Sequence, residues 1–147
     1  MPHIPADYPR YVMCVFNPID LVESVSRLFD MFDCVLPTRA GRHGQAWTWD
    51  GPINLKNARF AEDLSPLDEA VSCPASPDSS KASLHPLIRS GEYLGSMELS
   101  WHNTAFFQAL MQRMRDAIAA GEFEALRQEL ATRWAATKSE PKTDAKS

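Results

Sequence analysis

The chain has 147 residues, 44% of them hydrophobic and 23% charged, with a formal net charge of −4. That length suits one globular domain built around a single core. The acidic balance excludes a protein whose whole surface coats nucleic acid, since such a footprint is strongly basic, although a local basic segment still grips phosphate on an acidic protein.

Residues 1–10 hold three prolines and read as an extended lead-in. Tyr11 to Phe16 is continuously apolar, the pattern of a strand buried on both faces. Asn17 then supplies a helix cap, Pro18 a first-turn proline and Asp20 a first-turn carboxylate. Ile19, Val22, Val25, Leu28 and Phe29 follow at helical spacing and give one buried stripe up to about Phe29. A second apolar strand, Met31 to Leu36, comes next. Strand, helix, strand predicts a βαβ unit with parallel pairing and a right-handed crossover. Two such strands are too few for a sheet buried on both faces, which points to a piece of a larger architecture.

The second strand carries one carboxylate, Asp33, among residues that favour burial. Pro37 is expected to stop the strand, and a polar loop to present Arg39, Arg42 and His43. By pattern alone Asp33 has two readings. It is a strand-end aspartate bonded to loop backbone or paired with Arg39, or it is a nucleophile at the C-terminal end of a barrel strand. A carboxylate placed there attacks an anomeric carbon and holds a covalent glycosyl intermediate while one base leaves and another enters.

From Gly44 the pattern changes. Gln45 to Trp49, Asp50-Gly51 and Pro52 to Leu55 predict a β-hairpin with Asp-Gly as its turn. Residues 61–80 are polar and proline-bearing, a surface excursion. Ser83 to Gly91 is helical in pattern, but Pro86 inside it predicts a kink or a start at Pro86, because an interior proline costs roughly 3 kcal/mol. Phe107, Leu110, Met111, Met114 and Ile118 mark an amphipathic helix from about Asn103 or Thr104, stopped at Gly121. Phe123, Leu126, Leu130 and Trp134 mark another, and residues 138–147 read as a disordered tail. Cys14, Cys34 and Cys73 show no pairing pattern, which suits a reducing compartment. No signal peptide is legible, and no apolar run approaches the roughly 20 residues of a membrane helix. A cytoplasmic protein without membrane or DNA partners is expected.

Met31-Phe32-Asp33-Cys34-Val35-Leu36-Pro37-Thr38-Arg39 closely resembles the nucleophile strand of the tRNA-guanine transglycosylases (queuine tRNA-ribosyltransferases). Gly41-Arg42, Gly44-Gln45-Ala46, Asp50-Gly51-Pro52-Ile53-Asn54, Asn57-Ala58-Arg59-Phe60 and Asp63-Leu64-Ser65-Pro66-Leu67-Asp68 continue the similarity. So do Leu87-Ile88-Arg89-Ser90-Gly91-Glu92 and His102-Asn103, and it runs from about Tyr11 to Trp134. The resemblance implies an α/β fold: the C-terminal portion of a βα (TIM-like) barrel, about two βα units, with a β-hairpin, a degenerate zinc subdomain and C-terminal helices. On that reading residues 11–43 are barrel strands with the nucleophile, 44–102 the hairpin and zinc subdomain, and 103–137 the terminal helices, together one partial domain over 1–137.

The family reaction exchanges guanine for a 7-deazaguanine, queuine or its precursor, at the tRNA wobble position. The resemblance makes Asp33 the nucleophile that attacks C1′ of the wobble guanosine, and Arg39 and Arg42 contacts to the anticodon loop. The family's zinc pattern, Cys-x-Cys-x-x-Cys followed by a His-Asn pair, falls on Val71, Cys73, Ser76 and His102, with the separation of 26 residues from Ser76 to His102 retained. Valine has no donor and serine is a poor one, so Cys73 and His102 are vestigial positions and no cofactor is expected. The loss removes a fastening worth on the order of 10 kcal/mol in small zinc sites. Cys14 and Phe16 stand where the family has glycines near the base, Ser83 where it has a tyrosine, and Pro86 where it has a histidine. The family's general acid/base and base-recognition residues belong to a part of the barrel that this chain does not carry, so the chain is expected to be inactive alone. The alternatives are a non-catalytic subunit that pairs with a full-length transglycosylase or with itself, and a decaying gene fragment.

Overall fold

The computed structural model describes Pro5 and residues 7–13, 17–73 and 79–138, so the tail expected over 138–147 lies, beyond its first residue, outside them. Strands β1 (Tyr11–Met13) and β2 (Met31–Asp33) pair in parallel, Tyr11 opposite Met31 and Met13 opposite Asp33. Helix α1 (Pro18–Ser26) connects them, so the βαβ unit is present. Asn17 caps α1 by accepting from the Asp20 N–H at 3.0 Å, and Pro18 occupies the first turn, where its missing N–H removes nothing. The helix closes before Phe29. Leu28 adopts φ +70°, and the Phe29 N–H returns to the Ser24 carbonyl at 3.1 Å. This is a Schellman-type closure with leucine where glycine is usual.

Two expectations about this region are corrected. Strand β1 is not buried on both faces: Val12 packs against the core, but Tyr11 is 49% and Met13 64% exposed. Side chains alternate along a strand, and only one face of this two-stranded sheet is covered among the described residues. Residues 14–16, the remainder of the expected strand, lie outside the description. Strand β2 likewise ends at Asp33, and the segment read as strand end and polar loop is helix α2 (Leu36–Arg42). Pro37 opens this helix in its first turn instead of merely stopping a strand. Val35 offers no side-chain cap, and the Leu36 N–H donates to Cys34 Sγ at 3.2 Å instead.

The hairpin forms as β3 (Gln45–Thr48) and β4 (Gly51–Asn54), with Thr48 opposite Gly51. Its two loop residues are therefore Trp49 and Asp50, one position earlier than expected. A short 3-10 turn (Ala58–Phe60) follows. Helix α3 (Lys81–Ser90) runs through Pro86 and does not begin there. The Ser80 side chain fixes its start by accepting from the Ser83 N–H at 3.1 Å, and Gly91 ends it at φ +76°. Helix α4 (Tyr93–Ala120) starts ten residues before the expected Asn103, and its first turns leave Tyr93, Leu94, Met97 and Trp101 exposed. Gly95 is retained there for close packing: a Cβ on it would lie 3.0 Å from Leu87 Cβ and Ile88 Cδ1. Gly121 ends α4 as expected, at φ +74°, and α5 (Phe123–Lys138) follows.

Two apolar clusters form the interior. One joins α1, α4 and α5 through Leu21, Phe106, Leu110, Leu130 and Trp134, and the other joins the hairpin to α3 through Ala46, Leu55, Leu84 and Leu99. The hairpin is tied to α4 by polar side chains. Asn103, fully buried, accepts from the Trp47 N–H at 2.8 Å and donates to the Pro37 and Gln45 carbonyls, both at 2.9 Å. One turn earlier on α4, Ser100 touches α2 so closely that a Cβ on Gly41 would lie 2.6 Å from the Ser100 backbone nitrogen. No helix among the described residues is long and apolar enough to cross a membrane.

Asn103→Ala strands one N–H and two carbonyls in the interior, and should lower the unfolding free energy by about 3 kcal/mol or more in urea titration. An unchanged midpoint would contradict this account. Leu28→Gly should instead raise stability by about 1 kcal/mol, because only glycine holds φ +70° without steric cost.

Candidate functional site

Asp33 sits at the C-terminal end of β2, exposed, with Met31 and Asp33 on the face opposite Phe32. Phe32 turns into the helix-covered core, so alternation places Asp33 on the open face. Register puts Asp33 beside Met13, with Tyr11 beside Met31. Among the described residues the Asp33 carboxylate has no ion pair within 4.0 Å, so the simple pairing with Arg39 is not formed. A cleft of about 440 Å³ lined by Phe32, Cys34, Thr38, Thr104, Phe107 and Arg115 belongs to the helix side of β2, away from Asp33.

Arg39 and Arg42 lie in the last turn of α2 and are exposed, and His43 is its C-cap residue. Cations there complement the negative end of the helix dipole. The His43 Nδ1 lies 2.7 Å from the Arg39 carbonyl. Neither arginine has a carboxylate partner among the described residues. Asp33 and the three basic residues thus flank one short helix, the carboxylate before its start and the cations at its end.

Of the four positions that the zinc pattern falls on, Ser76 lies outside the described residues. Val71 and Cys73 are buried in the apolar cluster with Trp49 and Phe106. His102 is fully buried, and its Nε2 donates to the Trp47 carbonyl at 2.9 Å. That bond fixes the proton on Nε2 and leaves Nδ1 a bare acceptor with no partner among the described residues. Burial holds the imidazole below its ordinary pKa, against the opposing pulls of the Trp47 bond and the Asp68 charge. One bare imidazole nitrogen and one thiol do not make a tetrahedral set when Val71 supplies no lone pair, so these residues do not fit a structural zinc. Among the described residues no group of three or more His, Cys, Asp or Glu is placed to hold a metal.

In sequence Asn103 stands out as a companion of His102 and as a start of the helix, neither of which reveals its structural part. The available signal was an amide at helical spacing between Leu99 and Phe106, on a face otherwise apolar. Buried amides in such stripes bond to backbone.

The sequence profile described as queuine tRNA-ribosyltransferase matches residues 1–136. The chain is 65% identical over 130 residues to the queuine tRNA-ribosyltransferase of Caulobacter vibrioides, covering 88% of this chain and 35% of that protein. It is 56% identical over 131 residues to the Sphingopyxis alaskensis protein of that name, covering 89% of this chain and 35% of the relative. The Zymomonas mobilis protein of the same name is 52% identical over 139 residues, which is 95% of this chain and 36% of the relative. The chain thus spans about a third of the length of these relatives. A profile match across nearly its whole length, on a βαβ unit that carries Asp33 at a strand end, places the chain in the queuine tRNA-ribosyltransferase family.

Proposed function

We propose that this chain is a C-terminal transglycosylase segment that supplies the nucleophile for guanine exchange at the tRNA wobble position, a step of queuosine modification. The observation that carries this reading is Asp33: an exposed carboxylate without an ion-pair partner among the described residues, at the C-terminal end of a parallel strand, within a family-matching segment. An Asp33 carboxylate oxygen attacks C1′ of the guanosine and the N-glycosidic bond breaks, guanine leaving with the bonding pair and taking a proton. The incoming 7-deazaguanine then attacks C1′ through the N–H nitrogen of its five-membered ring, gives up that proton and displaces the carboxylate. Arg39 and Arg42 contact the anticodon loop, where phosphate needs unpaired cations. A tRNA substrate places the work in the cytoplasm.

Alone, the chain is inactive on this reading. Asp33 neither protonates a leaving base nor discriminates guanine. Its face of the sheet also carries exposed Tyr11, Met13 and Met31, so no water-excluding pocket closes over the carboxylate among the described residues. The same apolar exposure favours a second reading, a subunit that works only against the rest of a barrel or a full-length transglycosylase.

Labelled-guanine exchange into tRNA should be absent with the chain alone, and should appear when it is co-expressed with the remaining portion of the Caulobacter relative. Asp33→Asn should then reduce exchange by roughly 10³-fold or more. Exchange that survives this substitution would remove Asp33 from the role of nucleophile.

The zinc position is proposed to be defunct in this chain, with Val71 and Cys73 part of an apolar cluster and His102 tied to Trp47. Purified chain should carry zinc well below stoichiometry by elemental analysis, and Val71→Cys with Ser76→Cys should bring it to about one ion per chain. Stoichiometric zinc in the unaltered chain would refute the proposal.

A further inference from the structure

The basic residues of this acidic chain differ in what engages them. Lys81, Arg113, Arg127 and Arg133 are engaged by carboxylates at 2.6–3.6 Å. Arg39, Arg42 and Lys56 have no carboxylate within 4.0 Å among the described residues, and their side chains make no hydrogen bond there. Lys56 is distant from the two arginines in sequence, after β4, but the fold returns it to the end of α2. The Leu55 N–H donates to the Gly44 carbonyl at 2.8 Å, and a Cβ on Gly44 would lie 3.3 Å from Lys56 Cε. The lysine stem therefore lies along Gly44, two residues after Arg42, and its ammonium is carried one bond beyond Cε.

Gly44 permits this arrangement for two reasons. Its φ is +84°, and a Cβ there would also meet Ile88 Cγ2 at 2.6 Å. The Asn54 side chain accepts from the Lys56 N–H at 3.0 Å and fixes the turn from which the lysine leaves. Three cations without carboxylate partners thus gather at one corner of a molecule whose net charge is −4. In an otherwise acidic surface, uncompensated cations in one place attract a polyanion, and like charges held together are stabilised when it binds.

We infer that Lys56 is a third phosphate contact of the RNA surface formed by Arg39 and Arg42, and binds the backbone of the anticodon arm as a point charge. This rests on the proposed tRNA reading and extends it. The arginines offer forked, geometry-selective contacts, whereas lysine adds affinity without sequence preference.

The test is binding of the full chain to a fluorescent anticodon stem-loop RNA, by anisotropy across a salt series. Lys56→Gln should weaken binding several-fold and lower the slope of log affinity against log salt by about 0.7–0.9, the value of one phosphate contact. Lys56→Arg should retain both. Arg39→Gln and Arg42→Gln should each weaken binding as well. Arg27→Gln, at the C-cap of α1, controls for loss of one surface cation, and circular dichroism confirms folding of each variant. Loss with the α2 arginines but none with Lys56→Gln overturns this inference and leaves the tRNA reading standing. An equal loss with Arg27→Gln reduces the effect to net charge and overturns it too. No binding by the unaltered chain overturns both.

Discussion

Two consecutive side chains of α4 take the place of a β-strand, and the rest of the architecture depends on that substitution. Trp47 lies opposite Pro52 in the hairpin, a partner with no N–H to offer, and its own N–H and carbonyl turn outward. Asn103 accepts from that N–H and His102 donates to that carbonyl. Asn103 also donates to Pro37 and Gln45, so one amide joins the start of α2, the edge of β3 and the middle of α4. A two-stranded hairpin is marginal by itself, and this clasp gives its free edge a fixed partner.

The clasp also holds the residues proposed to act on RNA. Helix α2 links Asp33 to Arg39 and Arg42, and it is pinned at its first turn by Asn103 and near its last by the close passage of Gly41 against Ser100. A rigid short helix keeps the spacing between carboxylate and cations nearly constant. Gly44, just after the helix, brings Lys56 and Ile88 to the same corner. The function proposed for this segment thus depends on helix packing that lies well behind the open face of the sheet.

His102 changes meaning in this setting. A bond from Nε2 to backbone is how a metal-binding imidazole is usually oriented. Here the bond is part of the clasp, while Val71 and Cys73 pack in an apolar cluster. Burial outweighs the Asp68 charge and favours the neutral ring, whose bare Nδ1 is then an acceptor and carries no proton.

The sequence by itself determined the family, the βαβ unit, the hairpin and the stop at Gly121, because these rest on local signals. Asn17-Pro18 opens a helix, glycine closes one, and alternation marks a strand whatever surrounds them. It did not determine that Leu36–Arg42 is helical, that α4 begins at Tyr93, or that α3 passes through Pro86. Each of these was decided by packing. Gly41 and Gly95 look like breakers in isolation but are sites of close approach, and Leu28 holds a glycine's conformation because the closing turn requires it. The exposure of β1 was also beyond the sequence, because an apolar strand carries no mark of whether a neighbour covers its second face. The position of Lys56 beside the α2 arginines is tertiary in the same sense: charge is written in the sequence, but its neighbours are chosen by the fold.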